Sequence, residues 1–163
     1  MSRDCSVCLV ADYDRDAGTV TIIFQKVGAT TDKLATLEDG DYISDFAGPL
    51  GRATETDDLK KVAVIGGGVG SAIAYPVAKK LHTLGCEVHS IVGFRSRDLV
   101  ILENEFDAVS DKFIKMSDDG SWGMKGLVTN ALKELIESGE QYDEGDGEGF
   151  TIWGLPPAPP KEG

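Results

Sequence analysis

The chain has 163 residues, of which 41% are hydrophobic and 27% charged, and its formal net charge is −12. This composition is that of one ordinary globular domain, or of a small domain with part of another. The acidic charge excludes nucleic acid and anionic membranes as partners, because such surfaces would repel it, and it suits docking to a basic patch on a partner subunit. No apolar run approaches the roughly 20 residues that span a bilayer, and no signal-peptide stretch follows Met1, so a cytoplasmic protein is expected.

The first part of the chain has residues typical of β-strands. Two runs, at 7–10 and 19–24, are separated by a polar turn that ends in Gly18. Such runs, rich in β-branched residues and bounded by a polar turn, predict two strands.

A short helix and a further strand are predicted next. Either Thr30 or Thr31 can cap a helix that follows Gly28, and the segment at 42–46 is predicted to be a strand. We expect it to form an antiparallel remnant of a barrel with the strand at 19–24. The stretch at 52–60 is polar and lacks hydrophobic periodicity, so it is the expected domain boundary.

From residue 58 the pattern changes to strands that alternate with amphipathic helices. The strands are predicted at 61–65, 88–92 and 112–116, and the helices begin just before Pro76, after Asp98 as N-cap, and at Lys125. Strands alternating with helices indicate parallel βαβ units with right-handed crossovers. The expected fold class is therefore α/β, with a parallel sheet between two layers of helices.

A glycine cluster stands where the first of these strands passes into a helix. It comprises Gly66, Gly67, Gly68, Val69 and Gly70, and a serine holds the last position of the pattern. Glycine lets a pyrophosphate approach the main chain, and the helix start attracts its charge, so the cluster predicts nucleotide binding. A tight glycine turn without a ligand is the alternative.

Polar side chains follow the next two predicted strands. Arg95 and Arg97 come after the second strand, where they would contact a 2′-phosphate or an adenine face, or simply be solvated. Asp118 and Asp119 follow the third strand, where they would accept hydrogen bonds from ribose hydroxyls, or simply end the strand.

The cysteines and histidines supply no evident catalytic set. Cys5 and Cys8 have the spacing of a redox motif, and Cys86 is expected to be a small residue at a helix–strand junction. Three cysteines cannot provide the four thiolates of an iron–sulfur cluster, so none is expected. Neither His82 nor His89 lies in a triad or metal-ligand pattern. Because no set of side chains suits acid–base or nucleophilic catalysis, redox chemistry by a bound cofactor is the simplest interpretation.

Several motifs occur together in one order. They are the glycine cluster at 66–70, Tyr75-Pro76-Val77-Ala78-Lys79, the run from Gly93 to Leu99 followed by Glu103 and Glu105, and the run from Ser117 to Ser121 followed by Gly123, Lys125 and Gly126. In this combination the chain resembles the small (alpha) subunit of bacterial NAD-dependent ferredoxin:NADP oxidoreductase, also called sulfide dehydrogenase. That family is related to the electron-transfer subunit of dihydroorotate dehydrogenase.

The resemblance implies cofactors and site residues. Such subunits pass electrons between NAD(P)H, FAD and an iron–sulfur centre, on the way to a larger flavin- and iron–sulfur-containing oxidoreductase subunit. By resemblance, the flavin pyrophosphate would be held by Gly28, Thr30 and Thr31. The pyridine nucleotide would be held by Gly66, Gly68, Val69, Gly70, Arg95, Asp118, Asp119 and Gly120. The family's [2Fe–2S] cluster is not expected in this chain, which lacks the cysteines for it.

The resemblance also implies a division of the chain. Residues 1–57 would be part of a FAD-binding antiparallel β-barrel, and 58–144 an incomplete, ferredoxin-reductase-like NAD(P)-binding α/β domain. Residues 145–163 would be an acidic, proline-rich and disordered tail, so that the chain is shortened at both ends relative to the family. A nucleotide-binding module without catalysis and a subunit-docking fragment are the alternative functions.

Overall fold

A computed structural model of the protein describes residues 9–48, 50 and 53–143. Its strands and helices, in chain order, are β1 (Leu9–Asp14), β2 (Thr19–Ile23), α1 (Ala29–Leu34), β3 (Lys61–Gly67), α2 (Ser71–Thr83), β4 (Glu87–Phe94), α3 (Glu103–Ala108), β5 (Lys112–Ser117), β6 (Met124–Lys125) and α4 (Val128–Glu137). Short 3-10 turns occupy Gly68–Gly70 and Arg97–Leu99. Within these described parts, no helix has both the length and the apolar surface needed to cross a membrane.

The last four strands form one parallel sheet in the order β3-β4-β5-β6. The predicted parallel pairing of the first three is confirmed. The fourth strand, β6, was missed, because two exposed residues carry no strand periodicity. Its pairing with β5 is local, with Met116 opposite Met124 and Ser117 opposite Lys125.

Helices cover both faces of the sheet. On one face, Val62, Val64, Val88 and Val92 pack with residues of α2 and α3, including Ala78, Leu81 and Phe106. On the other face, Ile65, Ile91 and Met116 pack with Ala131 and Leu135 of α4. Phe106 and Ile91 are fully buried, and each such side chain contributes about 1.5–3 kcal/mol to folding. The three-layer architecture agrees with the fold class expected from the sequence.

The predicted helix boundaries were wrong in three places. Helix α2 begins at Ser71 and contains Pro76, because the burial of Tyr75 and Ala78 against the sheet outweighs the one hydrogen bond that a proline nitrogen cannot donate. Asp98 lies in a 3-10 turn instead of capping a helix, and α3 starts at Glu103 after a left-handed Leu102. Helix α4 starts at Val128, since Lys125 belongs to β6.

The N-terminal hairpin packs against the α/β unit. β1 and β2 are antiparallel, with Asp14 opposite Thr19, so the expected antiparallel pairing of 19–24 with 42–46 was wrong. Ala11 of β1 is fully buried, and Asp12 of β1 forms an ion pair with Lys79 of α2. The hairpin is thus attached directly to the first helix of the sheet.

The strand predicted at 42–46 is absent from the structure. This segment has no regular secondary structure, and Tyr42, Ile43 and Phe46 are exposed. A segment becomes a strand only when a neighbouring strand pairs with its backbone hydrogen-bonding groups, and none of the described strands pairs with this one.

Some predictions fall outside the described residues. They concern the cysteine pair at positions 5 and 8 and the tail at 145–163. The division of the chain at residues 57 and 144 stays a prediction.

Candidate nucleotide-binding site

The carboxyl ends of β3, β4 and β5 meet at one edge of the sheet. Gly67 pairs with Gly93, and Phe94 pairs with Ser117, so the three loops that follow these strands are neighbours. This edge is where open α/β sheets bind ligands. It therefore gathers the glycine cluster, Arg95 and the two aspartates that were predicted from the sequence.

Two glycines of the cluster have different physical roles. A Cβ on Gly66 would lie 2.8 Å from Ser71 Oγ and 2.9 Å from Ser71 Cα, so Gly66 is required for the close packing of the helix start on the strand end. Gly68 has a φ of +54°, and a Cβ there would meet nothing within 4 Å. Open space beside this left-handed backbone is what an approaching phosphate requires.

The start of α2 carries an unpartnered hydroxyl group. Ser71 is fully buried, and its Oγ has no hydrogen-bond partner among the described atoms. The first turn of the helix contains no acidic residue that would oppose an anion. Val69 and Gly70 precede it in the 3-10 turn, so free backbone amides and the positive end of the helix dipole lie at this helix start. Buried unsatisfied polar atoms are rare and commonly meet a ligand or an ordered water.

A cleft of about 610 Å³ lies at the ends of β4 and β5. It is lined by Arg95, Ser96, Asp98, Leu99, Asp118 and Asp119. The structure thus brings together three of the predicted site residues. Gly120 follows Asp119 in the same loop, at a φ of +80°. The glycine cluster is not part of the lining.

Ser96, Asp98 and Leu99 were missed as cleft residues. Asp98 was interpreted as a helix cap, yet it lines the cleft, as does the exposed Leu99. Their position directly after the second strand of a parallel sheet was the signal that would have identified them.

Hydrogen bonds join the loop after β4 to the loop after β5, and these two loops form the cleft. Asp118 N donates to Phe94 O at 3.1 Å, and Arg97 N donates to Ser121 Oγ at 2.9 Å. Asp119 Oδ1 accepts from both the hydroxyl and the amide of Ser121, at 2.6 and 2.8 Å. These bonds lower the pKa of Asp119, so its carboxylate is charged at neutral pH.

The two arginines considered from the sequence are in different surroundings. Arg95 lines the cleft, whereas the Arg97 guanidinium lies 3.3 Å from the carboxylate of Glu103. Only Arg95 is therefore available to a ligand in the cleft without breaking an ion pair.

The residues assigned to flavin by resemblance form a separate local cluster. Thr31 Oγ1 accepts from Val27 N at 2.8 Å and donates to Gly28 O at 3.0 Å. The hydroxyl of Thr31 thus stabilises its own loop, and Thr30 is half-buried beside it. Gly28 has a φ of +109° with open space around it. None of the three lines the cleft.

The remaining candidate groups have structural roles. The thiol of Cys86 is buried and donates to Leu59 O, as expected for a packing residue. The ring of His89 is buried between Glu87, at 2.9 Å, and the hydroxyl of Tyr142, at 3.0 Å, in β4 near the start of the sheet. Among the described residues, no group of three histidine, cysteine or carboxylate side chains is placed to hold a metal ion.

The fold and the site together define a ferredoxin-reductase-like nucleotide-binding unit. Its features are a parallel sheet with helices on both faces, a glycine turn that leads from the first strand of the sheet into a helix, and a cleft at the ends of the next two strands. No protein-family model matches the sequence. Individual proteins do match, and they narrow the class of protein to which the chain is related.

Three curated relatives illustrate the match. The chain is 42% identical over 142 residues to an uncharacterised protein of Clostridium beijerinckii, covering 82% of this chain and 48% of that protein. It is 40% identical over 127 residues to a homologue of the dihydroorotate dehydrogenase B electron transfer subunit from Thermotoga maritima, with coverages of 78% and 45%. The corresponding subunit of Fusobacterium nucleatum is 36% identical over 129 residues, with coverages of 77% and 49%.

A solved structure of NADH-dependent reduced ferredoxin-NADP oxidoreductase, described in work on flavin-based electron bifurcation, superposes with a TM-score of 0.74. The two sequences are 37% identical, and the match covers 84% of this chain and 49% of the chain in the solved structure. The chain is therefore homologous to these electron-transfer proteins, and the resemblance seen in the sequence is confirmed. It spans about half the length of the curated relatives it matches.

Proposed function

We propose that the chain is the pyridine-nucleotide-binding part of an electron-transfer subunit, which passes electrons between NAD(P)H, FAD and an iron–sulfur partner. The observation that carries this proposal is the shared sheet edge, where the glycine turn before α2 and the cleft at Arg95, Asp118 and Asp119 lie side by side. The relatives named as electron-transfer subunits support the same conclusion.

The residues of the edge fit the parts of a dinucleotide. The amides at the start of α2, with the unpartnered hydroxyl of Ser71, suit the pyrophosphate, and Gly68 leaves it room. The carboxyl oxygens of Asp118 and Asp119 suit ribose hydroxyls, because such oxygens accept hydrogen bonds. Arg95 offers a cation at the cleft for a phosphate or an adenine face. The nicotinamide itself would supply the hydride chemistry.

The flavin and partner assignments rest on the resemblance and on the relatives. Gly28 and Thr30 remain available to a flavin pyrophosphate, while the hydroxyl of Thr31 is engaged within its loop. A larger oxidoreductase subunit is the proposed partner, and the net charge of −12 would favour a basic docking surface on it. A cytoplasmic location is part of the same proposal.

Two measurements on the purified protein test this function. An ultraviolet–visible spectrum reports bound flavin, and calorimetric titration with NADH and NADPH reports nucleotide affinity. Nucleotide binding with a flavin spectrum supports the electron-transfer role. Nucleotide binding without flavin supports the alternative of a non-catalytic nucleotide-binding module. Binding of neither cofactor contradicts the proposal and leaves the subunit-docking alternative.

A further inference from the structure

The carboxylate of Glu103, the first residue of α3, contacts three side chains at once. Its Oε1 accepts from Lys115 Nζ at 2.9 Å and from Trp122 Nε1 at 3.0 Å. Its Oε2 lies 3.3 Å from the guanidinium of Arg97. The side chain is only 26% exposed, and the bonds from Lys115 and Trp122 lower its pKa, so it is a carboxylate at neutral pH.

The three partners of Glu103 come from three different segments. Arg97 lies in the loop after β4, Lys115 lies in β5, and Trp122 lies in the loop between β5 and β6. A single carboxylate therefore joins both loops that form the cleft. Glu103 itself does not line the cleft, so any effect on a ligand would pass through these partners.

Trp122 links the network to the cleft wall. Its indole is buried, in edge contact with the rings of Phe94 and Phe113. Its amide donates to Ser117 Oγ at 2.9 Å, and Ser117 Oγ donates to the Trp122 carbonyl at 2.7 Å, which closes the loop that carries Asp118 and Asp119. A fixed position of the Trp122 indole therefore restrains both ends of the loop that carries Asp118 and Asp119.

We propose that Glu103 is a positioning residue, which holds the 118–122 loop against the loop after β4 and so shapes the cleft before a ligand enters. The nucleotide part of this inference rests on the proposed function. An isolated surface ion pair would have little effect. A buried indole donor that loses its acceptor is different, because an unsatisfied buried group costs more than the bond itself contributes.

Amide hydrogen exchange tests the positioning role without any ligand. In Glu103→Ala, exchange at 118–122 should quicken about tenfold, because a buried donor left unsatisfied weakens the loop by roughly that factor. Exchange in β3 and α2 should not change. Glu103→Gln keeps an acceptor for the indole and should give a smaller effect. The control is Glu105→Ala, which removes an exposed carboxylate from the same helix.

Unchanged exchange at 118–122 in Glu103→Ala would overturn the proposal. So would equal acceleration throughout the sheet, because it would indicate general destabilisation instead of local positioning. Both results can be interpreted even if Glu103→Ala is less stable, because Glu103→Gln provides a second, milder perturbation.

Titration with NADH connects the loop to binding. Glu103→Ala should weaken NADH binding about tenfold at a temperature where the variant remains folded. Trp122→Phe, which removes the indole donor, should add little when combined with it, because the two residues act as one unit. Additive effects would contradict a shared role. If the wild type binds no NADH, the proposed function fails, and the exchange experiment alone decides the role of Glu103.

Discussion

Lys79 Nζ lies 2.7 and 2.9 Å from the two carboxylate oxygens of Asp12, and this ion pair joins the N-terminal hairpin to helix α2. The hydrogen bond from Lys79 lowers the pKa of Asp12 below its ordinary value of 3.8. A carboxyl group with a lowered pKa stabilises the folded protein above that ordinary value and ceases to do so as the pH falls through the lowered one.

Asp12→Asn should therefore reduce stability at neutral pH and have no effect in strong acid. Both side chains are more than one third exposed, at 35% and 43%, so solvent screening limits the loss to about 0.2–1 kcal/mol. Urea unfolding at pH 7 and at a pH below the lowered pKa measures the difference. Asp16→Asn, in the exposed hairpin turn, is the control. A difference that persists unchanged in acid would show that the ion pair is not its cause.

Gly68→Val should abolish or greatly weaken pyridine-nucleotide binding while the fold persists. A branched side chain would fill the open space beside the amides at the start of α2, and the φ of +54° adds backbone strain of about 1–2 kcal/mol. Gly139→Val is the matched control, because Gly139 also has a positive φ and open surroundings, at the end of α4 away from the site. Titration with NADH and NADPH, beside thermal melts, separates the two effects.

Comparable melts with a loss of binding in Gly68→Val alone would support a phosphate position at this glycine. Equal binding in the two variants would show that Gly68 serves only the backbone conformation.

Gly123→Ala should destabilise the protein strongly. A Cβ at Gly123 would lie 2.1 Å from the carbonyl oxygen of Lys115, and its φ is +62°. Because the obstructing atom belongs to the backbone of β5, the loop must move, and we expect a loss of more than about 2 kcal/mol. Gly40→Ala, also at a positive φ but with open surroundings, is the control. Denaturant midpoints that differ little between the two variants would contradict this steric explanation.

This chain should bind no iron–sulfur cluster. Its three cysteines cannot supply the usual four thiolates, and the thiol of Cys86 is buried and bonded to a backbone carbonyl. Analysis of the purified chain for iron and acid-labile sulfide is the measurement. Stoichiometric amounts of both in a monomer would prove this expectation wrong.

Much of the candidate site was predictable because its signals are local. A continuous apolar strand, a glycine cluster and an amphipathic helix occupy adjacent stretches, and each carries its own periodicity. The parallel direction of the strands, with their carboxyl ends at one edge, then follows from βαβ connections. Arg95, Asp118 and Asp119 were placed at one edge by this reasoning, although their contact with a ligand stays a prediction.

By itself, the sequence determined the α/β class, the parallel direction of three strands and the glycine turn, since hydrophobic period and glycine spacing express backbone requirements directly. Only the tertiary structure decided that 42–46 is no strand, that Met124–Lys125 is one, that α2 runs through Pro76 and that Glu103 holds both cleft loops. The physical reason is the same in each case. These features depend on partners distant in the chain, namely a neighbouring strand, a sheet face or a buried indole, and no local pattern records whether such a partner is present.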